Sequence, residues 1–119
     1  MMNKQSLLRA FKNAFVGIVY CIRHERNMKI HSTLACLAGC LAWWLSLTTY
    51  EILILIITIA SVFVAEMMNT VVEAIVDLVS PEVHPLAKIA KDVAAGAVLT
   101  ASIAALLVGY LLFFAKMWP

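Results

Sequence analysis

Charge is scarce in this sequence: only 13% of its 119 residues are Asp, Glu, Lys or Arg, against about 25% in an ordinary soluble domain. Glycine is scarce too. Gly17, Gly39, Gly96 and Gly109 are the four present, and they form neither a GxxxxGK(S/T) nor a GxGxxG run. Any nucleotide that binds here does so without either of those phosphate-cradling loops. Cys21, Cys36 and Cys40 are odd in number, and Cys36 and Cys40 lie one helical turn apart inside an apolar run. They read as small hydrophobes rather than as a bridge or a metal site. No His/Cys spacing indicates zinc; His24, His31 and His84 are scattered and read as surface or interfacial residues.

In place of charge there is apolar bulk. The set AVILMFWYC makes up 64% of the chain, and the mean hydropathy is +0.96. A chain this short buries only part of its surface on folding, so much of that excess must face lipid. Composition thereby excludes a soluble globular enzyme, a nucleic-acid module, a secreted disulfide scaffold and a disordered tail. The net charge of +2 is too small to argue for nucleic acid.

The expected fold is a single all-α integral membrane domain over 1–119. A surface helix covers about 5–28 and membrane helices cover 30–47, 51–79 and 88–116. Spans of about 20 apolar residues are what a bilayer requires. Trp43, Trp44 and Trp118 sit near span ends, where amphipathic rings favour the lipid–water boundary. Pro81 and Pro85 mark the second connection as a helix break. Before the first span, Leu7, Leu8, Phe11, Phe15, Ile18, Val19 and Ile22 recur at three- and four-residue steps. That stripe predicts an amphipathic helix on the inner leaflet, or one packed on another protein helix, and not a cleaved signal peptide. Lys4, Arg9, Lys12, Arg23, Arg26 and Lys29 precede the first span, Lys88 and Lys91 lie between the second and third, and only Lys116 falls opposite. By the positive-inside rule the N-terminus and the 80s loop are cytoplasmic, and the protein is multi-pass in the cytoplasmic membrane.

The informative stretch is Glu66-Met-Met-Asn69-Thr-Val-Val-Glu73-Ala-Ile-Val-Asp77. At about 100° per residue its four polar side chains share roughly 80° of a helix circumference. Glu66 follows fourteen uncharged residues and lies about 22 Å along the helix from Glu51. Acids so placed repel one another and need a cation. The topology brings Glu25, Glu66, Asn69, Glu73, Asp77, Lys91 and Asp92 to one cytoplasmic layer. Carboxylates with an amide and a lysine suit Mg²⁺ whose shell is completed by phosphate oxygens, and hence phosphoryl transfer. On periodicity alone, a small ion-coupled transporter subunit fits nearly as well, and a structural assembly subunit leaves the acids unexplained.

These residues also carry a resemblance. Glu25-Arg-Asn-Met-Lys-Ile-His31, the E-x-x-N-x-x-x-E-x-x-x-D run from Glu66 to Asp77, and Ala90-Lys91-Asp92 resemble the small prokaryotic diacylglycerol kinase family, whose Gram-positive branch includes undecaprenol kinases. The likeness extends from about Phe11 to Phe114. It implies a homotrimer with three membrane helices and a surface helix per chain, and active sites shared between neighbours. ATP is the implied phosphoryl donor, Mg²⁺ the cofactor and a membrane lipid alcohol the substrate.

Residue by residue, Glu66 resembles the family's catalytic base at the lipid hydroxyl. Glu25 and Glu73 resemble its metal ligands at the nucleotide phosphates. Lys91 resembles the phosphate-neutralising lysine, with Asp92 beside it, while Asn69 orients the base or a phosphate. Asp77, Glu82 and His84 fall at the nucleotide site. Asn13 and Ser6 replace an aromatic and an arginine of the enteric enzymes, and Arg9 supplies the basic group instead. The Glu25–His31 form resembles the Gram-positive branch, which directs the expected substrate towards undecaprenol, with diacylglycerol second.

Overall fold

The computed structural model describes residues 4–118. All regular elements among them are helical: α1 (Lys4–His24), α2 (Arg26–Trp44), α3 (Thr49–Val79), α4 (Pro85–Gly109), a π-helical turn (Tyr110–Phe114) and a short α5 (Ala115–Met117).

Glu25 alone separates α1 from α2. Its backbone is extended, at φ −99° and ψ 119°, so the expected surface helix over 5–28 stops at His24 and the next helix begins four residues before Ile30. Hydrogen bonds continue across the break, from Glu25 N–H to the Cys21 carbonyl and from Lys29 N–H to the Glu25 carbonyl. The far end of α2 closes with Ser46 in the left-handed region, at φ 54°. The Leu47 N–H donates to the Ala42 carbonyl and the Ser46 N–H to that of Trp43, which satisfies two of the carbonyls a helix end leaves open. The expected span of 30–47 is therefore shifted to 26–44.

Thr48 caps α3. Its hydroxyl accepts from the Glu51 N–H at 3.3 Å while the Glu51 carboxylate accepts from the Thr48 N–H at 3.1 Å, a reciprocal box that fixes the helix start. α3 runs 31 residues, about 46 Å. Pro85 does not break the following helix but opens it. Its fixed φ and missing N–H suit the first helical position, so the third apolar helix starts at 85 rather than 88. The connection before it shortens to 80–84.

α3 and the continuous stretch Pro85–Met117 are each long and apolar enough to cross a membrane. α2 has 19 residues and begins with Arg26 and Lys29. α3 packs most extensively on α4, while α2 meets α3 over a smaller area and α1 leans mainly on α2. At the end remote from Glu66, Ala42, Leu47 and Leu55 are buried together, with Ala38, Ile59, Leu112 and Phe113 packed around them. Lys116 and Glu51 pair across that end at 3.1 Å.

The interior is thin. Among the described residues, the buried apolar side chains are Cys21, Met28, Ala42, Leu47, Leu55, Val62 and Val98, while large apolar residues on every long helix stay exposed. On α1 the stripe from Leu7 to Ile22 is largely uncovered by this chain. Cys36 and Cys40 are exposed and unpaired and Cys21 is buried, in keeping with hydrophobic rather than bridging roles. Hydroxyls within the apolar helices are satisfied locally: those of Thr58, Thr70 and Thr100 each donate to the carbonyl four residues earlier.

Candidate active site

The sequence-predicted site residues fall into three environments along the α3 polar stripe. Glu66 is the deepest, at 1% exposure, and Asn69 follows at 7%. Glu73 is half-buried and Asp77 exposed. The stripe thus grades from interior to surface over about 16 Å of helix.

At the buried end, α2 brings His31 to Glu66. Nε2 of the imidazole lies 3.7 Å from Oε2 of the carboxylate. That separation is too long for a direct hydrogen bond. Neither Glu66 oxygen nor His31 Nε2 has another hydrogen-bond partner, and Asn69 Oδ1 is likewise unsatisfied. Buried polar atoms left without partners are costly, and here four of them lie on facing turns of α2 and α3. Asn69 turns its amide the other way, where Nδ2 donates to Glu73 Oε1 at 3.2 Å. In this chain its amide is thus tied to Glu73, while Oδ1 stays free of a partner.

Glu25 and Glu73 both lie within electrostatic reach of Glu66. Glu25 stands at the α1–α2 break and its side chain makes no capping bond there. Among the described residues, the ion pairs are His31–Glu66, Lys88–Asp92, Lys91–Asp77 and Lys116–Glu51. Among the described residues, no lysine or arginine forms an ion pair with Glu25, Glu66 or Glu73. No three His, Cys, Asp or Glu side chains among them are grouped so as to hold a metal ion by themselves. Two carboxylates without a cationic partner fit the protein's share of a Mg²⁺ shell when phosphate and water supply the rest.

A polar cleft of about 280 Å³ at the α3–α4 turn is lined by Asp77, Glu82, His84, Lys91 and Asp92, together with Lys88. Lys91 Nζ donates to Asp77 at 2.5 Å and Lys88 Nζ to Asp92 at 2.6 Å. Lys91 also lies within electrostatic reach of Glu73, which links the cleft to the carboxylate cluster. His84 is the N-cap of α4 and accepts the Leu86 N–H at 3.1 Å. Glu82 accepts through its backbone carbonyl from the Ser80 hydroxyl at 3.1 Å.

Arg9 is not brought to either cluster by this chain. It lies on the exposed part of α1, about 24 Å along the helix path from Glu25. Conversely, His31 joins the site although the sequence assigns it no role, and Lys88, read in the sequence with Lys91 and Asp92 as a cationic cluster at the start of the third helix, lines the cleft beside them. His31 does end the Glu25–His31 motif, but only the crossing of α2 over α3 shows what it faces.

A sequence profile for prokaryotic diacylglycerol kinase matches residues 12–113. An undecaprenol kinase of Bacillus subtilis is 37% identical over 92% of this chain and 89% of its own length. A diacylglycerol kinase of Synechocystis is 42% identical over 87% of this chain, which spans 60% of that longer relative. A diacylglycerol kinase of Haemophilus influenzae is 30% identical over 91% of this chain and 92% of its own length. Kinase chemistry displaces the transporter and assembly readings. This chain belongs to the prokaryotic diacylglycerol kinase family and is a lipid kinase.

Proposed function

We propose that the protein transfers the γ-phosphoryl group of ATP to the hydroxyl of undecaprenol, with Mg²⁺ as cofactor. The observation that carries this reading is the Glu66 carboxylate, buried at the end of the long apolar run of α3 with neither oxygen hydrogen-bonded. A carboxylate at that depth is positioned to take a proton from a lipid alcohol. The substrate follows the Bacillus subtilis relative, an undecaprenol kinase aligned over most of both chains. Diacylglycerol is the second reading, favoured by the Synechocystis relative.

In this mechanism the lipid hydroxyl oxygen attacks the γ-phosphorus while its proton passes to Glu66. The bond from the γ-phosphorus to the bridging oxygen breaks, and ADP leaves. Glu25 and Glu73 would hold Mg²⁺, which would neutralise charge on the phosphate oxygens. Asn69 keeps Glu73 oriented for that task. Lys91 exchanges Asp77 for a phosphate, while Asp92, Glu82 and His84 border the nucleotide. Catalysis of this kind rests on positioning and charge neutralisation.

The chain crosses the cytoplasmic membrane three times, through α2, α3 and α4–α5, with the N-terminus and the 80–84 connection inside. If Glu51 marks the outer boundary, Glu66 lies about 22 Å in and Asp77 emerges past a hydrocarbon layer of about 30 Å. The exposed faces of α1, α3 and α4 are covered by lipid and by two further copies in a homotrimer. Arg9, too far from its own cluster, serves a neighbour's nucleotide site.

The test is ATP consumption by the purified protein in detergent micelles, with undecaprenol and diacylglycerol assayed in parallel. Faster turnover of undecaprenol supports the reading. A preference for diacylglycerol reassigns the substrate, and no lipid-dependent consumption with either overturns it.

A further inference from the structure

His31 and Glu66 stand 3.7 Å apart, and this gap is of a particular size. It is too wide for the two to bond each other, yet narrow enough that an oxygen set beside the line joining them lies about 2.8 Å from both once the enclosed side chains part slightly. Both sides of the gap are unsatisfied: Nε2 and the two carboxylate oxygens are enclosed and have no other partner. His31 is 15% exposed and Glu66 only 1%. A buried pair of this kind, one a donor and one an acceptor, is complementary to a group that both accepts and donates. A hydroxyl is such a group.

His31 also lines a second, apolar space. A cavity of about 270 Å³ lies between α2, α3 and α4, bordered by Leu34, Leu55, Val62, Ala105 and Leu106. Val62 is one helical turn from Glu66, and Leu55 lies about 10 Å further along α3. His31, with Glu66 behind it one turn beyond Val62, therefore stands at one end of an apolar groove that leads away from the carboxylate cluster. A carbon chain with a terminal hydroxyl matches both parts: the chain in the groove and the hydroxyl at its polar end.

We propose that His31 is a second catalytic residue, holding the acceptor hydroxyl in place through an Nε2–H···O hydrogen bond. The same hydroxyl donates its own proton to Glu66 Oε2, and the lipid tail leaves through the groove between α2, α3 and α4. As the phosphorus–oxygen bond forms, the hydroxyl proton moves to Glu66 and His31 keeps its own. The role requires the tautomer with hydrogen on Nε2. This inference rests on the lipid-alcohol reading above and adds the residue that aims the nucleophile.

The experiment compares wild type, His31→Ala, His31→Gln and Ala105→Leu in micelles, varying undecaprenol and ATP separately. Loss of one hydrogen bond to the nucleophile predicts a fall of about 10–100-fold in kcat/KM for the lipid with His31→Ala. KM for ATP stays within about twofold of wild type, since the nucleotide cleft is untouched. His31→Gln, which keeps an N–H donor, recovers part of the loss. Ala105→Leu, which narrows the groove, raises the lipid KM. In addition, titrating undecaprenol into ¹⁵N-histidine-labelled Glu66→Gln protein shifts the His31 Nε2 resonance.

A His31→Ala enzyme with unchanged lipid kcat/KM overturns the proposal, as does a loss shared equally by lipid and ATP or a Gln variant no better than Ala. An Nε2 resonance indifferent to lipid overturns it even if the Ala variant misfolds. If Ala105→Leu alters the oligomeric state and not the lipid KM, a second copy occupies the groove and the tail assignment falls. Should wild type phosphorylate no lipid alcohol, it is the underlying function that fails.

Discussion

Lys91 Nζ donates to Asp77 at 2.5 Å, tying the end of α3 to the second turn of α4 across the polar cleft. The two side chains are 41% and 67% exposed, so the pair is well solvated and adds little to stability. Removing Lys91 is therefore expected to reveal a functional role far larger than its structural one. Lys91→Ala should raise KM for ATP or lower kcat by at least about tenfold, with thermal stability nearly unchanged. Asp77→Ala, which releases the same lysine, should keep Lys91 available and lower activity much less. Steady-state kinetics beside a thermal melt in detergent separates the two effects.

Replacing the deepest carboxylate tests the proton acceptor. Glu66→Gln keeps the shape of the side chain and removes its basicity. Proton transfer by a placed side chain is worth about 10²–10⁴-fold in rate, so kcat should fall by that range while the variant remains folded. A turnover near that of wild type would dismiss Glu66 as the base. The readout is ATP-dependent phosphorylation of undecaprenol, with size-exclusion elution as the control for assembly.

Asn69 holds Glu73 at 3.2 Å and so acts on the proposed cation site at one remove. Partners that orient metal ligands are typically worth about 10–100-fold in metal affinity or activity. Asn69→Ala should move the midpoint of a Mg²⁺ titration upward by that order. Glu73→Ala and Glu25→Ala should move it further. An unchanged midpoint in either glutamate variant would remove that residue as a ligand.

Ser46 occupies the left-handed region at the end of α2, a conformation that costs a non-glycine residue about 1–2 kcal/mol. Glycine removes this strain but gives up about 0.5–1 kcal/mol of chain entropy. Ser46→Gly is expected to stabilise the protein by up to about 1 kcal/mol and to leave kinetics alone, as judged by resistance to thermal or detergent denaturation.

Orientation can be read from single-cysteine accessibility in right-side-out and inverted vesicles, on a background without Cys21, Cys36 and Cys40. Val83→Cys, in the connection before α4, should react with an impermeant maleimide only from the cytoplasmic side. Tyr50→Cys, at the start of α3, should react only from the opposite side. Labelling of both from one face would contradict three crossings in the proposed sense.

Much of this architecture was legible in the order of residues. The apolar run and the helically spaced acids of α3 place it near the observed Thr49–Val79, while the Thr48–Glu51 box that starts it went unread in the sequence. The break at Glu25 was less visible, because the apolar periodicity runs on through it and only the backbone turns. Pro85 reads equally as a stop or as a first helical residue, and the structure selects the latter. In the site, one-helix geometry placed Glu66, Asn69, Glu73 and Asp77 on one face correctly. It could not grade their burial, which depends on how far α2 and α4 cover each turn. Nor could it pair Lys91 with Asp77, or set His31 against Glu66, since those contacts arise from helix crossing.

With so few apolar side chains enclosed by the chain itself, exchanges among Leu, Ile, Val and Ala along its outward faces leave internal packing almost untouched. Where such a face meets lipid, mutational tolerance is set by that solvent rather than by the shape of a neighbour, and packing limits it only where another copy sits. A saturation scan would show long stretches indifferent to which hydrophobe is present, interrupted sharply at His31, Glu66 and Asn69. Sequences of this kind can drift widely in their letters while the chemistry stays pinned to a few polar points.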